Sequence, residues 1–292
     1  MYPTHQTCLL CSSRDLIELP KFSNDYLTKC RKCSFVFCKR IPTDQELLAV
    51  YAKYPRNHTI SPITIKRYHE LLDIFESYRK TNKMLDIGCG DGYFLREAKS
   101  RGWQVYGTEY TDNAFEIGKQ KGIIMHQGVL DPGNYHPNEF DIITSFEVIE
   151  HINNPQPEIQ NIKKILRPGG VFYVTTPNFN SVSRFLAKKA WNIICYPEHL
   201  SYYTAVSMNR FFKNEGFKKI KVETTGISLN RLKVSYDIKS SPATSQNKAI
   251  TDEEIRQKTE TNFLFKTIKK SINFFLNLFK IGDSLKAFYQ KK

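Results

Sequence analysis

The chain has 292 residues, of which 40% are hydrophobic and 25% are charged. This composition is typical of a globular chain with one sizeable domain plus a small one, and it argues against intrinsic disorder. Lysine and arginine number 43 against 29 acidic residues, which gives a formal net charge of +14. Such an excess attracts polyanions, whether nucleic acid, anionic lipid or a phosphorylated carrier, without choosing among them.

The first twenty residues are polar and contain paired cysteines, so the sequence predicts no secretory signal. Its apolar runs fall short of the roughly 18 residues of a membrane span. We therefore expect a cytoplasmic location, with peripheral contact at the inner face of the membrane left open by the C-terminal segment considered below.

Four cysteines near the start form two pairs, each with two residues inside the pair and with eighteen residues between the pairs. A two-residue spacer makes a tight turn that can place both thiolates on one tetrahedral ion, and this spacing is typical of structural zinc sites. We expect zinc and a zinc-ribbon module over residues 1–41; the alternatives are disulfides, which a reducing compartment disfavours, and free thiols. A further cysteine, Cys38, fits neither pair and is expected to be a buried or free thiol. The predicted zinc ligands are Cys8, Cys11, Cys30 and Cys33.

Two helices are predicted after the cysteines. Thr43 and Glu46 have the spacing of a capping box before a short helix. Ser61 and Pro62 suit the N-cap and first position of a second helix. A buried face for that second helix is indicated by apolar residues at three- and four-residue intervals, namely Ile65, Tyr68, Leu72 and Phe75.

Residues 86–92 read Asp-Ile-Gly-Cys-Gly-Asp-Gly and are followed seventeen residues later by Glu109. The run ends an apolar strand, leads into a helix-like segment at 93–100, and is followed by a second apolar strand that ends at the acid. This is one βαβ nucleotide-binding half, in which the glycines let the backbone approach a ligand and the carboxylate can accept hydrogen bonds from a ribose diol. The spacing G-x-G-x-G differs from that of dinucleotide enzymes, and Asp86 suits a ligand with a cationic ammonium end.

Strands and helices continue to alternate, with apolar strands predicted at 123–125, 140–144 and 171–175. The sequence therefore predicts an α/β fold with a doubly wound, mostly parallel sheet, whose ligands bind beyond the carboxyl ends of the strands. A late strand is predicted at 218–225. Its hairpin partner has only a weak candidate, Leu232–Ile238.

Together these motifs resemble the class I S-adenosylmethionine (SAM) methyltransferases, in the broad family that includes quinone and sugar methyltransferases. The resemblance covers roughly residues 60–225 and implies a Rossmann-like methyltransferase domain, which we expect over residues 42–239. An N-terminal zinc ribbon also occurs on sugar methyltransferases of this kind. The resemblance implies the following cofactor-binding residues: Asp86, Gly88, Gly90, Gly92, Glu109, Tyr110, Val129, Leu130, Ser145 and Phe146.

Two segments offer catalytic candidates for that chemistry. His151 follows the fourth strand, and its type of side chain titrates near neutrality. Glu198 and His199 lie in an insertion after the fifth strand, among aromatic residues at 191–203 whose faces could stack on a sugar or a base. We expect His199 or His151 to be the base or to orient the substrate. The alternatives are a structural histidine and a packed loop.

The last segment, residues 240–292, is predicted to be a linker followed by a basic amphipathic helical tail. Such a helix suits an anionic membrane surface, or it packs on its own domain or on a partner. The expected function is methyl transfer to a small hydroxylated acceptor, foremost a nucleotide- or lipid-linked sugar in polysaccharide or natural-product biosynthesis. The alternatives are an RNA methyltransferase that grips RNA with the ribbon, and a SAM-binding adaptor without catalysis.

Overall fold

The computed structural model describes residues 2–52, 60–228 and 263–292. Its strands form a seven-stranded sheet and a smaller four-stranded sheet. In chain order the strands are β1 (Leu16–Glu18), β2 (Leu27–Cys30), β3 (Val36–Cys38), β4 (Lys83–Ile87), β5 (Gln104–Glu109), β6 (Ile124–Gln127), β7 (Phe140–Phe146), β8 (Leu166–Pro177), β9 (Ser201–Tyr202), β10 (Phe217–Thr225) and β11 (Ser284–Lys291). The α-helices are α1 (Asp44–Tyr51), α2 (Pro62–Glu76), α3 (Tyr93–Ser100), α4 (Asp112–Gln120), α5 (Pro155–Ile165), α6 (Val182–Ala187), α7 (Ala205–Asn214) and α8 (Phe263–Leu278).

The large sheet has the strand order β10-β11-β8-β7-β4-β5-β6. Strands β4 to β8 run parallel to one another, whereas β11 is antiparallel to both β8 and β10. Central strands are buried almost throughout, as β7 is, because helices cover both faces of a parallel sheet. The predicted doubly wound, mostly parallel fold is therefore confirmed. The predicted cofactor residues lie at or just after the carboxyl ends of β4, β5, β6 and β7.

The helix starts agree with the predicted caps. Thr43 Oγ1 accepts a hydrogen bond from the backbone nitrogen of Glu46, and Glu46 Oε2 accepts one from the backbone nitrogen of Thr43, so the capping box is complete. Ser61 Oγ accepts from the backbone nitrogen of Thr64 at the start of α2. Two of the four residues predicted for the inner face of α2, Leu72 and Phe75, are buried, and the other two are half-buried.

The C-terminal strand β11 corrects the predicted domain boundary. It lies between β8 and β10 in the large sheet, with Ala287 opposite both Val174 and Val222. Leu285, Ala287 and Tyr289 are buried there, so residues 284–291 belong to the methyltransferase-like domain and not to a tail. The sequence hid this strand because lysines interrupt its apolar pattern. The candidate hairpin partner at 232–238 lies outside the described residues.

The N-terminal module is also joined to the large domain. Its sheet has the order β1-β2-β3-β9, and β9 comes from the insertion after β8. The backbone nitrogen of Cys38 donates to the carbonyl oxygen of Leu200 over 2.8 Å. Phe35 of the module and Tyr203 of the insertion pack in one hydrophobic cluster with the large sheet. The predicted module at 1–41 therefore shares a core with the domain that follows it.

Candidate active site

The glycine loop between β4 and α3 has the backbone that its sequence requires. Gly88, Gly90 and Gly92 have φ angles of 64°, 54° and 70°, a region that residues with a Cβ rarely adopt. A Cβ atom on Gly88 would also lie 2.7 Å from Cγ2 of Val148. Glycine is therefore required here by the backbone angles and by the close packing of Val148, and the loop lies at the carboxyl end of β4, where ligands of such sheets bind.

Two carboxylates border this loop. Thr144 Oγ1 donates to Asp86 Oδ1 over 2.7 Å, and the buried position of Asp86 raises its pKa to about 7, with a further contribution from the charge of Glu109. Glu109 Oε2 accepts a 2.9 Å hydrogen bond from the backbone nitrogen of Gly90. A cationic ligand beside Asp86 would restore the ionised carboxylate. This arrangement suits the ammonium group of SAM at Asp86 and its ribose near Glu109.

The predicted cofactor residues that follow β6 and end β7 differ in exposure. Ser145 is buried at the end of β7, and Phe146 packs edge-on against Phe94 at a centroid distance of 4.9 Å. Leu130 is 3% exposed and belongs to the main hydrophobic core, whereas the neighbouring Val129 is 75% exposed. Only the exposed member of that pair presents its side chain at the protein surface.

Tyr110 extends the site toward a residue that sequence reasoning missed. Its ring lies 5.5 Å from that of Tyr51, the last residue of α1, and the Tyr51 ring lies 6.3 Å from that of His151. Burial raises the pKa of Tyr51 to about 12, helped by Tyr110 and by the charges of Glu198, Glu109 and Glu150. Tyr51 therefore lies between the cofactor motif and the catalytic candidates. The capping box of α1 was the one sequence signal for an ordered helix here.

The two histidines proposed for catalysis lie together. The His151 and His199 rings are 4.8 Å apart, and a nitrogen of each lies within 4.8 Å of the other and of a carboxylate oxygen of the buried Glu150. His151 Nδ1 lies 2.7 Å from the carbonyl oxygen of Glu198, and His199 Nδ1 lies 2.7 Å from that of Ile193. A carbonyl only accepts, so Nδ1 carries the proton in both rings and Nε2 is the basic nitrogen.

This cluster can do two kinds of chemistry. Burial lowers the pKa of His151, although the hydrogen bond to Glu198 and the Glu198 charge oppose the shift, so the ring is neutral near pH 7 and can accept a proton. A neutral imidazole held by a backbone carbonyl is also a good metal ligand, and Glu150 would supply the carboxylate. Glu198 supports both the base role and the metal-ligand role, because its backbone carbonyl accepts from His151. Its carboxylate lies 3.7 Å from the Cys195 thiol.

The aromatic residues of the insertion have a different role from the predicted one. Trp191, Tyr202 and Tyr203 are at most 3% exposed and pack in the hydrophobic clusters. Their faces are covered by protein, so the predicted stacking of a sugar or base on these three rings is wrong. They fix the position of His199 by anchoring the segment that carries it.

The four paired cysteines converge on one point. Cys8 Sγ lies 3.4 Å from Cys33 Sγ, Cys11 Sγ lies 3.6 Å from Cys30 Sγ, and all four sulfurs lie within 4.8 Å of one another. Tetrahedral zinc–thiolate bonds of about 2.3 Å place sulfurs about 3.8 Å apart, so the set fits a zinc ion. None of the seven cysteines forms a disulfide. Cys38 lies apart, with its buried thiol donating to the carbonyl oxygens of Asp25 and His199.

Comparison with known proteins identifies the large domain. A family model described as a methyltransferase domain matches residues 58–222. The ubiquinone biosynthesis O-methyltransferase of Thiobacillus denitrificans is 29% identical over 112 residues, which are 36% of this chain and 48% of that protein. The enzyme of the same name from Azoarcus sp. is 23% identical over 167 residues, 53% of this chain and 71% of that protein. The chain thus spans about half the length of the first of these relatives.

Solved structures agree on the fold. A SAM-dependent methyltransferase from Archaeoglobus fulgidus superposes with a TM-score of 0.51 at 14% identity, covering 78% of this chain and 93% of that one. Phosphoethanolamine N-methyltransferase 2 of Haemonchus contortus, solved with SAM, superposes with a TM-score of 0.52 at 20% identity. The match covers 88% of this chain and 62% of that one. The matched family, the glycine loop and the two carboxylates beside it all indicate a SAM-binding domain. The chain belongs to the class I SAM-dependent methyltransferases.

Proposed function

We propose that this methyltransferase transfers the methyl group of SAM to a hydroxyl oxygen of a small acceptor. The observation that carries the proposal is the pair His151 and His199, whose basic Nε2 atoms lie beyond the strand ends, one aromatic ring away from the cofactor motif. Hydroxyl acceptors lose a proton on methylation, so a neutral base beside the methyl donor suits them. The relatives named as O-methyltransferases support the same choice of acceptor atom.

The proposed reaction is an in-line displacement at the methyl carbon of SAM. The acceptor oxygen forms a bond to the methyl carbon, the carbon–sulfur bond of SAM breaks, and its electron pair stays on sulfur to give S-adenosylhomocysteine. His151 or His199 takes the hydroxyl proton on Nε2. Asp86 and Glu109 hold the donor in place, and much of the rate comes from this positioning because the sulfonium is already electrophilic.

A second role for the cluster is favoured by the convergence of Glu150 with both histidines. A divalent cation held by these three residues would lower the pKa of a bound hydroxyl and orient it toward the donor. Brief treatment with a chelator separates the two roles. Loss of transfer that Mg²⁺ or Zn²⁺ restores, with SAM binding unchanged, assigns the cation role, and unchanged transfer assigns the base role.

For the acceptor we propose a sugar hydroxyl on a nucleotide or lipid carrier. The net charge of +14 supports a phosphorylated carrier. A phenolic hydroxyl is the second candidate, favoured by the names of the ubiquinone-biosynthesis relatives.

The ribbon supports the proposed site if its four cysteines bind zinc, as we also propose. Four protein ligands leave no open position, so the ion would be structural. Zinc would stabilise the site through β3, because β3 pairs with β9, which closely follows His199 in the chain. Zinc would thus hold the insertion, and with it one of the two proposed bases.

The test is incubation of the protein with methyl-labelled SAM and a fractionated cell extract. Label in nucleotide sugars or glycolipids supports the sugar acceptor, and label in a phenolic fraction supports the second candidate. Label confined to RNA, or SAM binding without any transfer, overturns the proposed acceptor class and favours the RNA methyltransferase or the adaptor. The double variant His151→Ala/His199→Ala is the control for transfer that depends on the site.

A further inference from the structure

Helix α8 docks on the domain through polar side chains. Asn277 Oδ1 accepts from the backbone nitrogen of Thr224 over 3.1 Å, and Asn273 Oδ1 accepts from that of Gly226 over 2.9 Å. Thr224 Oγ1 donates to the carbonyl oxygen of Leu276 over 2.8 Å, and the Leu276 side chain is buried. An amphipathic helix of a globular domain usually turns its apolar face inward. Over residues 267–278, where its side chains are described, this helix instead turns most of its large apolar side chains outward.

The apolar face of α8 consequently points away from the domain. Its central line follows the helical spacing i, i+4, i+7 and i+11, and two further apolar side chains widen it. We call these six residues the apolar stripe. Their side chains are 45–65% exposed. The apolar stripe consists of Ile268, Ile272, Phe274, Phe275, Leu278 and Phe279.

A second apolar pair lies close to the end of this helix. Phe185 and Leu186 of α6 are 51% and 54% exposed. The backbone nitrogen of Val182, at the start of α6, donates to the carbonyl oxygen of Ile281 over 2.9 Å, which ties α6 to the chain just after α8. Scattered single apolar residues are ordinary on a surface, but a group of large ones along one helix face marks an interaction site.

Basic residues flank both apolar groups. Lys270 of α8 is exposed and Lys269 is half-buried, and exposed Lys188 and Lys189 directly follow α6. These lysines complement an anionic surface and would repel one another across a symmetric dimer of this face. The combination of large apolar side chains with a basic margin is typical of helices that lie in the interface of an anionic bilayer.

We propose that the apolar stripe and the Phe185–Leu186 pair bind the surface of an anionic lipid bilayer. None of the helices in residues 2–52, 60–228 and 263–292 could span a bilayer. The C-terminal end of α8 leads into β11 at Ser284, which pairs with Pro177 at the carboxyl edge of the sheet. Helix α8 therefore ends at the carboxyl edge of the large sheet, the edge that also carries the SAM motif. The proposal does not depend on the identity of the acceptor.

Vesicle flotation with the full chain tests the proposal. We expect the protein to float with vesicles of equal phosphatidylglycerol and phosphatidylcholine, to stay behind with phosphatidylcholine alone, and to be released by high salt. The variant Ile272→Ser/Phe275→Ser should lose at least about tenfold in bound fraction because these side chains supply the apolar contact. The matched control Ile74→Ser/Val206→Ser removes two apolar side chains of similar exposure from α2 and α7 and should float as the wild type does.

SAM binding and thermal melting of each variant report whether the fold is intact, and both are expected to match the wild type. Wild-type protein that fails to float with anionic vesicles overturns the proposal. So does a stripe variant that floats normally. A wild-type dimer that the stripe variant converts to a monomer, with flotation in neither, assigns the face to self-association and overturns it as well. Failure of the proposed methyl transfer is a separate outcome, since flotation is measured without an acceptor.

Discussion

The backbone nitrogen of Leu200 donates a 2.7 Å hydrogen bond to the carbonyl oxygen of Glu150. This bond joins the insertion after β8 to the turn after β7, and it brings the residues beside each partner, His199 and His151, face to edge. The carbonyl of Leu200 in turn accepts from Cys38 of the ribbon. The N-terminal module therefore holds one half of the candidate catalytic pair in register with the other.

Replacing the paired histidines should lower the chemical step and leave cofactor binding alone. We expect His151→Ala or His199→Ala, whichever removes the ring whose Nε2 takes the acceptor proton, to reduce kcat by about 10²- to 10⁴-fold, the range of general acid–base catalysis. The measurement is kcat at saturating SAM together with the Kd for SAM. His126→Ala is the matched control, since that ring packs on Tyr135 away from the pair. A fall of less than about threefold in both variants would remove the pair from the mechanism.

The sequence showed these two histidines but not their pairing. Each follows a strand end, which the alternation of strands and helices made visible. Their contact depends on the path of the 47 intervening residues and on the packing of the N-terminal module against them, and neither is written in local periodicity. The glycine loop was different. Its glycines and carboxylates are close in sequence or at matching strand ends, so local rules predicted their position at the carboxyl edge of the sheet.

The buried Asp86 should make SAM binding depend on pH. Its pKa of about 7 means that cationic SAM must bind the ionised form or displace a proton. We expect the Kd for SAM to rise by up to about tenfold per pH unit below pH 7, measured by calorimetry. Asp86→Asn removes the titrating group and should abolish this slope, at the cost of weaker binding at pH 8.

The same carboxyl changes folding stability with pH in the opposite direction to SAM binding. A carboxyl whose folded pKa is raised contributes stability below its unfolded pKa, and this stability is lost as the pH rises through about 7. The increase in Tm on adding SAM should therefore be larger at pH 8 than at pH 6. An equal increase at both pH values would contradict the assigned role of Asp86.

The four-cysteine set should bind one zinc ion that stabilises the insertion. We expect about one zinc per chain by elemental analysis, and loss of it in Cys11→Ser. The Tm should fall, and kcat should fall more than SAM affinity, because the ribbon supports His199 and not the glycine loop. Cys38→Ser is the matched control and should keep its zinc, since its thiol points to backbone carbonyls. Full zinc content in Cys11→Ser would contradict the site.

Strand β11 should be essential for stability although its sequence resembles a tail. Leu285 is fully buried between two strands, so Leu285→Ala should lower the free energy of unfolding by about 2–5 kcal/mol in a denaturant titration. Lys292→Ala, just beyond the strand, should leave it unchanged. The strand escaped prediction because it pairs with β10, which ends 59 residues before β11 begins (225 to 284), and long-range antiparallel pairing has no local signature. A stable Leu285→Ala variant would show that the described pairing is wrong.

Tyr51 should couple the cofactor motif to the histidine pair through its ring. Its contacts to Tyr110 and His151 are edge-on aromatic contacts, each worth about 0.5–1.5 kcal/mol. We expect Tyr51→Ala to weaken SAM binding by about 3- to 10-fold and also to lower kcat, whereas Tyr51→Phe keeps the ring and should retain both. Leu48→Ala is the control on the same helix, because Leu48 is half exposed and its loss tests α1 without touching the site. If Tyr51→Phe lost as much as Tyr51→Ala, the hydroxyl rather than the ring would carry the effect. With its pKa raised to about 12, Tyr51 would then be a neutral hydrogen-bond donor to the acceptor or to the cofactor.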